Sequence, residues 1–344
     1  MDQKTIRYSI IIPVFNSIAT LSRCLESVLA QQREALEALL IDDGSADGSR
    51  DLCQRFAAEH ACFRFFPCEH GGVSAARNYG LSKAQGRYVL FLDSDDFLAK
   101  DCLSGLDGVL QRANWDLIQF STNLLVGETV IRRVLPSFSC ASPEEMIDQF
   151  SRLLCRRKVN APWGKVYRLD LIRKHDIVFP QGLSLGEDKV FNLRYAMHCR
   201  RFAILSETLY CTCLDNGNSL SRRLRPDVEQ QMKEEAALSQ RAVLDAALPA
   251  AQQDALLRAL AFDRLRNVYT LGKYYHRSGM PMCARYRELR RLCGTIRAEK
   301  AVYPRSVYCT LCVLPVKWKL LPVIDAMAWK MAFHGLVNIN DKKK

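Results

Sequence analysis

Four apolar segments in the first hundred residues, each stopped by turn-forming or charged residues, constrain this chain more than any other feature. They are Tyr8–Phe15 (YSIIIPVF), Leu36–Ile41, Cys62–Pro67 and Tyr88–Leu92. Polar segments with helical spacing separate them, and the one from Val73 to Ala84 is predicted to be a helix. Short β-branched runs that alternate with helices predict an α/β fold with a mainly parallel sheet covered by helices.

Three of these strands end in polar or acidic residues. Asn16 follows the first strand, Asp42-Asp43 follows the second, and the cluster from Asp93 to Asp96 follows the fourth. Ligands of open α/β sheets bind outside the carboxyl ends of the strands. The sequence therefore predicts one shared crevice lined by these residues.

The middle of the chain carries further strand and helix signals. Trp115–Ser121 and Thr129–Leu135 flank Gly127 and predict a hairpin that adds an antiparallel edge. Ser142 is predicted to cap a helix whose first turn contains Pro143.

The chain changes character after residue 221. Residues 1–221 hold 26 basic and 26 acidic side chains, whereas residues 222–344 hold 23 and 11, so the net charge of +12 lies in the last third. Long helical patterns, Asp227–Ala247 and Gln252–Arg277, replace the strands there. We therefore predict a catalytic domain over 1–221 and a basic helical region over 222–344. A basic surplus attracts a polyanion; no nucleic-acid-binding module is present, so an anionic membrane surface and a phosphorylated acceptor are the candidate partners.

The last segment, Val302–Leu336, mixes tryptophan, aliphatic residues and lysine. Its longest charge-free run, Ser306–Val316, is too short to cross a bilayer, which needs about 20 apolar residues. Four apolar residues fall on one helical face: Ile324, Met327, Ala328 and Met331. Such a face suits either a helix that packs on the core or a helix that lies in a membrane interface, and both interpretations stay open.

The cysteines and the N-terminus bear on the compartment. The 14 cysteines are spread along the chain, and Met1–Tyr8 has no apolar signal segment. We expect a reducing cytoplasm, with most cysteines acting as small apolar residues.

The acidic cluster Asp93-Ser94-Asp95-Asp96 predicts a metal site. Clustered carboxylates repel one another unless a divalent cation binds, and Mg²⁺ or Mn²⁺ is commonly held by one or two carboxylates together with substrate phosphates. The alternative is a set of helix-capping acids. Phe15 and Asn16 are candidates for contact with a nucleotide base, and Arg77 is a candidate for reaching a diphosphate. Neither a G-x-G-x-x-G fingerprint nor a P-loop motif is present, which argues against nicotinamide or flavin binding and against phosphate binding by a P-loop.

Several motifs, in the same order along the chain, resemble those of glycosyltransferase family 2. The inverting enzymes of this family have the nucleotide-diphospho-sugar transferase fold called GT-A. The resemblance covers roughly residues 8–221. It is carried by SIIIPVFNS (Ser9–Ser17), IDDGSADGS (Ile41–Ser49), the run from Gly71 to Asp96, APWGKVYR (Ala161–Arg168) and FPQGLSLGEDKVF (Phe179–Phe191). The resemblance implies an α/β GT-A fold here, followed by the helical C-terminal region.

The resemblance also implies roles for individual residues. Asp93 would contact the ribose, Asp95 would ligate the metal together with Asp93, and Ser94 belongs to the same nucleotide site. In the Glu187-Asp188 pair, Asp188 would be the general base. The base of the nucleotide, usually uracil, would be held by Pro13, Phe15, Asp42 and Asp43. The alternative for Asp188 is a carboxylate in the first turn of a helix, where the helix dipole favours it, because Glu187–Arg200 is predicted to be a helix.

Together with the resemblance, these features predict transfer of a sugar from a nucleotide-diphospho-sugar to an acceptor hydroxyl, with inversion. The resemblance implies a UDP-sugar as the donor, as is usual in the family. The expected setting is synthesis of exopolysaccharide, capsule or lipopolysaccharide, with a lipid-linked saccharide as acceptor and the enzyme peripheral at the inner face of the cell membrane. A sugar-nucleotide nucleotidyltransferase and a non-catalytic nucleotide- or carbohydrate-binding protein are the alternatives. Trp163 and Lys165 are candidates for lining the acceptor cleft, and Leu214–Arg222 is a candidate lid.

Overall fold

The computed structural model describes residues 6–213, 226–298, 303 and 307–340. The chain divides into two compact units. The first comprises Met1–Met146 with Ala161–Gly217, and the second comprises Ile147–Asn160 with Asn218–Lys344. The domain boundary predicted near residue 222 stays a prediction. The candidate lid Leu214–Arg222 lies outside the described residues.

All strands that the structure describes belong to one sheet in the first unit. In chain order they are β1 (Tyr8–Val14), β2 (Leu36–Asp42), β3 (Phe63–Pro67), β4 (Tyr88–Phe91), β5 (Phe97–Leu98), β6 (Leu117–Val126), β7 (Thr129–Arg133), β8 (Phe138–Cys140), β9 (Lys165–Arg168) and β10 (Phe202–Cys213). The sheet order is β3-β2-β1-β4-β9-β6-β10-β5, with β7 paired to β6 and β8 paired to β10.

Twelve helices accompany the sheet within the described residues. Those that begin before residue 200 are α1 (Ile18–Leu29), α2 (Ser49–Glu59), α3 (Val73–Lys83), α4 (Cys102–Leu110), α5 (Pro143–Cys155), α6 (Leu169–Lys174) and α7 (Glu187–Ala196). The later ones are α8 (Val228–Asp245), α9 (Ala250–Arg277), α10 (Met282–Ala298), α11 (Val307–Lys317) and α12 (Leu321–Asn340).

The parallel half of the sheet brings the strand ends together. β1 pairs in parallel with β2 and β4, and β2 pairs in parallel with β3. Every residue of β1 and β2 is buried, as expected for parallel strands covered on both faces. Their carboxyl ends therefore share one edge of the sheet. β9 runs antiparallel between β4 and β6, which places its first residue, Lys165, at that same edge.

Helix α3 packs closely on this half of the sheet because of one glycine. A Cβ added to Gly80 would lie 2.5 Å from Cγ2 of Ile11. Only a residue without a side chain allows this approach, which fixes the distance of α3 from β1 and so the position of its arginine, Arg77.

The structure confirms the predicted strands and hairpin, with small changes at their ends. Gly127 has φ +55° and joins β6 to β7, which pair antiparallel. Ser142 caps α5, because its Oγ accepts the amide of Glu145 at 3.2 Å. The helix predicted over Glu187–Arg200 ends earlier, at Ala196.

The early end of α7 has a local cause. The amides of Arg200 and Arg201 donate to Oδ2 of Asp116 at 2.8 and 3.0 Å. Before them, the amides of His198 and Cys199 donate to the carbonyls three residues back, so the helix closes in a tighter turn, and the carboxylate of Asp116, just before β6, holds the residues that follow.

The second unit is helical in its described residues. Arg157 joins the segment before residue 161 to α9 through Asp263 (2.6 Å), Asn267 (2.6 Å) and Thr270 (2.8 Å). Of the predicted apolar face of α12, Ile324 and Ala328 are fully buried, so these two residues follow the core-packing interpretation. In the part of the chain that the structure describes, every helix is too short or too polar to cross a bilayer.

Candidate active site

Three aspartates crowd the turn that follows β4. Carboxylate oxygens of Asp93, Asp95 and Asp96 all lie within 4.8 Å of one another. Asp96 is buried and accepts hydrogen bonds from the Tyr210 hydroxyl and the Cys213 amide, both at 2.9 Å. Burial and the neighbouring carboxylates raise the pKa of Asp96 to about 8, and burial together with Asp93 also raises the pKa of Asp95. Asp96 is therefore held by the protein, while Asp93 and Asp95 are partly exposed and suit a divalent cation.

Helix α1 holds the acidic turn in place. The Ser94 hydroxyl is 2.7 Å from that of Ser17, and the Thr20 hydroxyl donates to the Ser94 carbonyl at 3.0 Å. Arg23 donates to the carbonyl of Asp95 at 2.9 Å. Hydrogen bonds from α1 thus fix the backbone of the turn, and the fixed backbone sets the direction of its carboxylates.

Asp43, at the end of β2, organises the start of α3. Its Oδ1 accepts the amide of Gly71 at 2.7 Å and its Oδ2 accepts that of Gly72 at 3.0 Å. Nδ1 of His70 lies 2.9 Å from Oδ2 and 3.0 Å from the Asp43 carbonyl oxygen. Both oxygens of this buried carboxylate therefore have protein donors in the absence of a ligand.

Asp42 is also fully buried and paired. Its Oδ2 accepts from Nε of Arg50 at 2.7 Å, and its Oδ1 accepts the Ser45 amide at 3.2 Å. These bonds shape the loop between β2 and α2, beside the predicted base-binding residues.

An exposed aromatic pair stands at the same edge of the sheet. Phe15 is 46% exposed, and its ring stacks on that of His70 with centroids 4.3 Å apart and an interplanar angle of 23°. Asn16 has φ +48° and accepts the amide of Ala46 at 2.9 Å, whereas Pro13 is buried in β1. An exposed flat surface beside fixed polar groups is suited to stacking with a nucleobase.

Arg77 joins the two acidic motifs of the sequence. Its Nη2 donates to Asp93 at 2.9 Å and its Nη1 donates to Asp188 at 2.7 Å, with Glu187 at 3.8 Å. The guanidinium group is nearly buried and lies 5.3 Å from the ring centre of Phe179. Burial disfavours its charge, but the three carboxylates outweigh burial and raise the pKa of Arg77. A single side chain therefore bridges a residue of the acidic turn and the predicted general base.

The first turn of α7 presents Asp188 to this cluster. Burial raises the pKa of Asp188 to about 8; Arg77 opposes the shift, Glu187 and Asp93 add to it, and Lys165 opposes it. A carboxylate with a pKa close to neutrality is suited to accept a proton in a reaction near pH 7.

The structure thus brings the predicted residues to one edge of the sheet in the first unit. Of the two acceptor-cleft candidates, Trp163 is half-buried and stacks on Tyr210 with centroids 5.3 Å apart, and Lys165 is only 2% exposed. The individual binding and catalytic roles of these residues remain predictions.

Sequence reasoning missed the supporting residues of the site. His70 immediately precedes the glycines of the quoted motif, and its position next to a turn was a usable signal. Tyr210 has no comparable signal, because it meets Asp96 from 114 residues away along the chain.

The sequence matches a glycosyltransferase family profile and several curated glycosyltransferases. The family profile described as "Glycosyl transferase family 2" matches residues 9–158. The uncharacterized glycosyltransferase EpsJ of Bacillus subtilis is 26% identical over 230 residues, which cover 66% of this chain and 67% of EpsJ. The matched region spans between about one third and two thirds of the curated relatives, with 32% of GlyA of Streptococcus pneumoniae and 65% of YibD of Escherichia coli.

Solved structures support the fold. Residues 1–349 of Staphylococcus aureus TarS in complex with UDP-GlcNAc align with a TM-score of 0.66 and 20% identity, covering 96% of this chain and 92% of that one. The mannosyltransferase PcManGT of Pyrobaculum calidifontis, in complex with GDP-Man and Mn²⁺, aligns with a TM-score of 0.55 and 17% identity, covering 95% and 86%. At these identities the likeness concerns the fold, and it confirms the predicted GT-A architecture.

Proposed function

We propose that the chain is a glycosyltransferase of family 2, whose model matches residues 9–158, and that it transfers a sugar, with inversion, from a nucleotide-diphospho-sugar to an acceptor hydroxyl. The bridge from Asp93 through Arg77 to Asp188 is the observation that carries this proposal. It holds a candidate base close to a residue of the predicted donor site, and a direct displacement needs the base near the reacting centre.

The donor is proposed to bind over the carboxyl ends of β1, β2 and β4. Phe15 offers an exposed ring for the base, and Asn16, Asp42 and Asp43 shape the surrounding loops. A UDP-sugar is the donor that we propose, in keeping with the UDP-GlcNAc bound by the TarS structure of similar fold.

Asp95 and Asp93 are proposed to hold Mn²⁺ or Mg²⁺. The crowding of three carboxylates within 4.8 Å favours a cation, and Asp96 is already bound to Tyr210 and Cys213. A bound divalent ion would supply charge neutralisation for the departing nucleoside diphosphate. Ser94 is held against α1 and is proposed to contribute to the same nucleotide site.

Asp188 is proposed to take the proton from the acceptor hydroxyl as that oxygen attacks the anomeric carbon. Attack from the face opposite the leaving diphosphate inverts the configuration. Glu187 and Arg77 lie beside Asp188 and set its orientation and charge. A general base of this kind contributes about 10²- to 10⁴-fold to the rate.

The acceptor is proposed to be a lipid-linked saccharide, in synthesis of a surface polysaccharide at the cytoplasmic face of the membrane. The observation that supports membrane contact is an apolar face on α11 and α12. Leu311 and Leu314 are exposed on α11, Trp318 is exposed in the turn directly after it, and Val323 and Trp329 are exposed on α12.

The charges on this face complement an anionic surface. Between residues 310 and 330, all of which the structure describes, the exposed charged side chains are Lys317, Lys319 and Lys330. The acidic residue in this stretch, Asp325, is buried and paired with Arg285 and His276. Tryptophan flanked by lysine is typical of residues at a membrane interface, and each basic residue near an anionic surface adds about 1 kcal/mol of binding free energy.

The transfer proposal is tested with a panel of nucleotide sugars and Mn²⁺, scored by release of nucleoside diphosphate and by protection against thermal unfolding. We expect one donor to be turned over. Asp188→Asn should bind that donor normally and lose transfer by about 100-fold or more. Turnover of no donor, or full activity of Asp188→Asn, contradicts the proposal.

The membrane proposal is tested by co-sedimentation with vesicles. We expect binding to phosphatidylglycerol vesicles, weak binding to phosphatidylcholine vesicles, and a loss of at least about tenfold in the double variant Trp318→Ala, Trp329→Ala. Met282→Ala is the matched control, because Met282 is 60% exposed at the start of α10 rather than on α11 or α12. Equal binding to both lipids, or equal loss in the control, contradicts membrane contact by this face.

A further inference from the structure

The ammonium group of Lys165 is buried at the active-site edge of the sheet. Lys165 is 2% exposed, and its Nζ donates a hydrogen bond to the Ala161 carbonyl oxygen. Lysine is almost never fully buried unless a partner balances its charge, and a neutral carbonyl balances it only in part. Burial lowers the pKa of Lys165, while the carboxylate of Asp188 favours the charged ammonium group and opposes that shift.

The register between β9 and α7 places Lys165 beside Asp188. Tyr167, two residues after Lys165 on the same side of the strand, donates to Asn192 at 2.6 Å. The next strand residue, Arg168, donates its amide to the Tyr195 hydroxyl at 2.7 Å. Later residues of the strand therefore meet later residues of the helix, so the two elements run in the same direction.

The residues that precede these contacts on strand β9 and on helix α7 are Lys165 and Asp188. Asp188 lies one turn before Asn192 on the same face of α7, as Lys165 lies one strand repeat before Tyr167. Asn192 also donates to the Ala161 carbonyl at 3.1 Å, so the helix and Lys165 share this acceptor. This register places Lys165 near Asp188, and the two groups interact electrostatically.

We infer that Lys165 is a positioning residue for Asp188, whose buried positive charge keeps that carboxylate ionised and oriented until the acceptor hydroxyl gives up its proton. The inference rests on the proposed function, since it assigns Asp188 as the general base. It gives Lys165 a role beneath the base rather than in the acceptor cleft.

Four charged groups face Asp188 from the elements around it. They are Arg77 from α3, Glu187 from α7, Asp93 from the turn after β4, and Lys165 from β9. Arg77 and Lys165 favour the ionised carboxylate, while Glu187 and Asp93 disfavour it. Removal of Lys165 therefore raises the pH at which Asp188 loses its proton.

The experiment is the pH–rate profile of sugar transfer between pH 5 and 9.5 with the donor identified for the wild-type protein. In Lys165→Met the acid limb should move to higher pH by about one unit or more, as expected for loss of a nearby opposite charge. At pH values on the acid limb, the transfer rate of Lys165→Met should be at least about tenfold lower than that of wild type. At alkaline pH the two rates should be similar. Lys165→Arg, which keeps the charge, should retain the wild-type limb.

A second neutral variant separates this role from a structural one. Lys165→Gln can still donate to the Ala161 carbonyl but carries no charge, so its limb should move as in Lys165→Met. A wild-type limb in Lys165→Gln, or an equal shift in Lys165→Arg, overturns the inference. Lys174→Met, at an exposed lysine of α6, is the matched control and should leave the profile unchanged.

Affinity for UDP gives a readout independent of turnover. It should be within about twofold of wild type in Lys165→Gln, because the residue acts on the base and not on the donor; a large loss of UDP binding overturns the inference. Absence of transfer by the wild-type protein with every donor is a different result, and it refutes the proposed function itself.

Discussion

Removal of Arg77 is the sharpest perturbation of this site, because three carboxylates depend on one buried cation. The Arg77 side chain is 5% exposed and contacts Asp93 at 2.9 Å, Asp188 at 2.7 Å and Glu187 at 3.8 Å. Arg77→Met keeps much of the side-chain volume but leaves the carboxylates without this partner. Loss of one member of a buried ion pair costs about 3 to 5 kcal/mol of unfolding free energy.

The assay is thermal and urea-induced unfolding, followed by circular dichroism at pH 8 and at pH 5. At about 2 to 4 °C per kcal/mol for a protein of this size class, the loss predicts a fall in Tm of roughly 6 to 20 °C at pH 8. Arg55→Met is the matched control, since Arg55 is exposed on α2 in the same unit; it should change stability by no more than about 0.5 kcal/mol.

The pH dependence follows from the direction of the carboxyl pKa shifts. Burial raises the folded-state pKa of Asp188 above its unfolded value, and Arg77 opposes that rise. Without Arg77 the folded-state pKa rises further, so extra stability is lost as the pH increases from about 4 towards the raised value. The gap between Arg77→Met and wild type should therefore be smaller at pH 5 than at pH 8. Two results would refute the view that Arg77 neutralises this cluster. One is an unfolding free energy of Arg77→Met within about 1 kcal/mol of wild type at pH 8, and the other is a stability difference from wild type that is larger at pH 5 than at pH 8.

Two further changes test the metal site and the packing beneath it. Asp95→Asn should abolish Mn²⁺-dependent turnover and leave the far-ultraviolet circular dichroism spectrum unchanged; retained metal-dependent activity would remove Asp95 from the metal site. Gly80→Ala should cost about 1 to 3 kcal/mol of unfolding free energy, because the new Cβ would lie 2.5 Å from Ile11. Gly108→Ala, in the open and exposed part of α4, should instead be neutral or stabilise by up to about 1 kcal/mol, and equal effects of the two changes would count against the close packing of α3.

The strands that carry the site were predictable because their signals are local. β1, β2 and β4 are mainly apolar runs, and each is followed by polar or acidic residues at the end of the strand. Because ligands of open α/β sheets bind at the carboxyl ends of the strands, the sequence also predicts that Asp43 and Asp93 share one edge. The C-terminal faces were less predictable. Periodicity identified Ile324 and Ala328 as one apolar face of α12, but it could not show that they would be buried while Trp329 stayed exposed.

The contacts within the site could not be predicted, because they join residues far apart in sequence. Contact of Arg77 with a diphosphate or a base stays a prediction, but its hydrogen bond to Asp188, which is 111 residues away, had no signal in the sequence. The same holds for Tyr210 and Asp96, and for Lys165, whose burial depends on where β9 enters the sheet. Composition and spacing identify residue types that suit the chemistry, whereas the pairing of charges depends on the tertiary fold.

The balance of charge at the edge of the sheet predicts that donor binding depends on a divalent cation. Three carboxylates gather in the turn after β4, those of Asp93, Asp95 and Asp96, and the cation Arg77 pairs with the first of them. A donor diphosphate would add negative charge to a site that already carries an excess, so it should bind weakly unless a divalent cation accompanies it. Donor affinity should therefore depend steeply on Mn²⁺ in calorimetric titrations, because metal and nucleotide neutralise the site together. Equal affinity for UDP with and without the metal would mean that the carboxylates are held protonated instead, and the role of the acidic turn would then be structural.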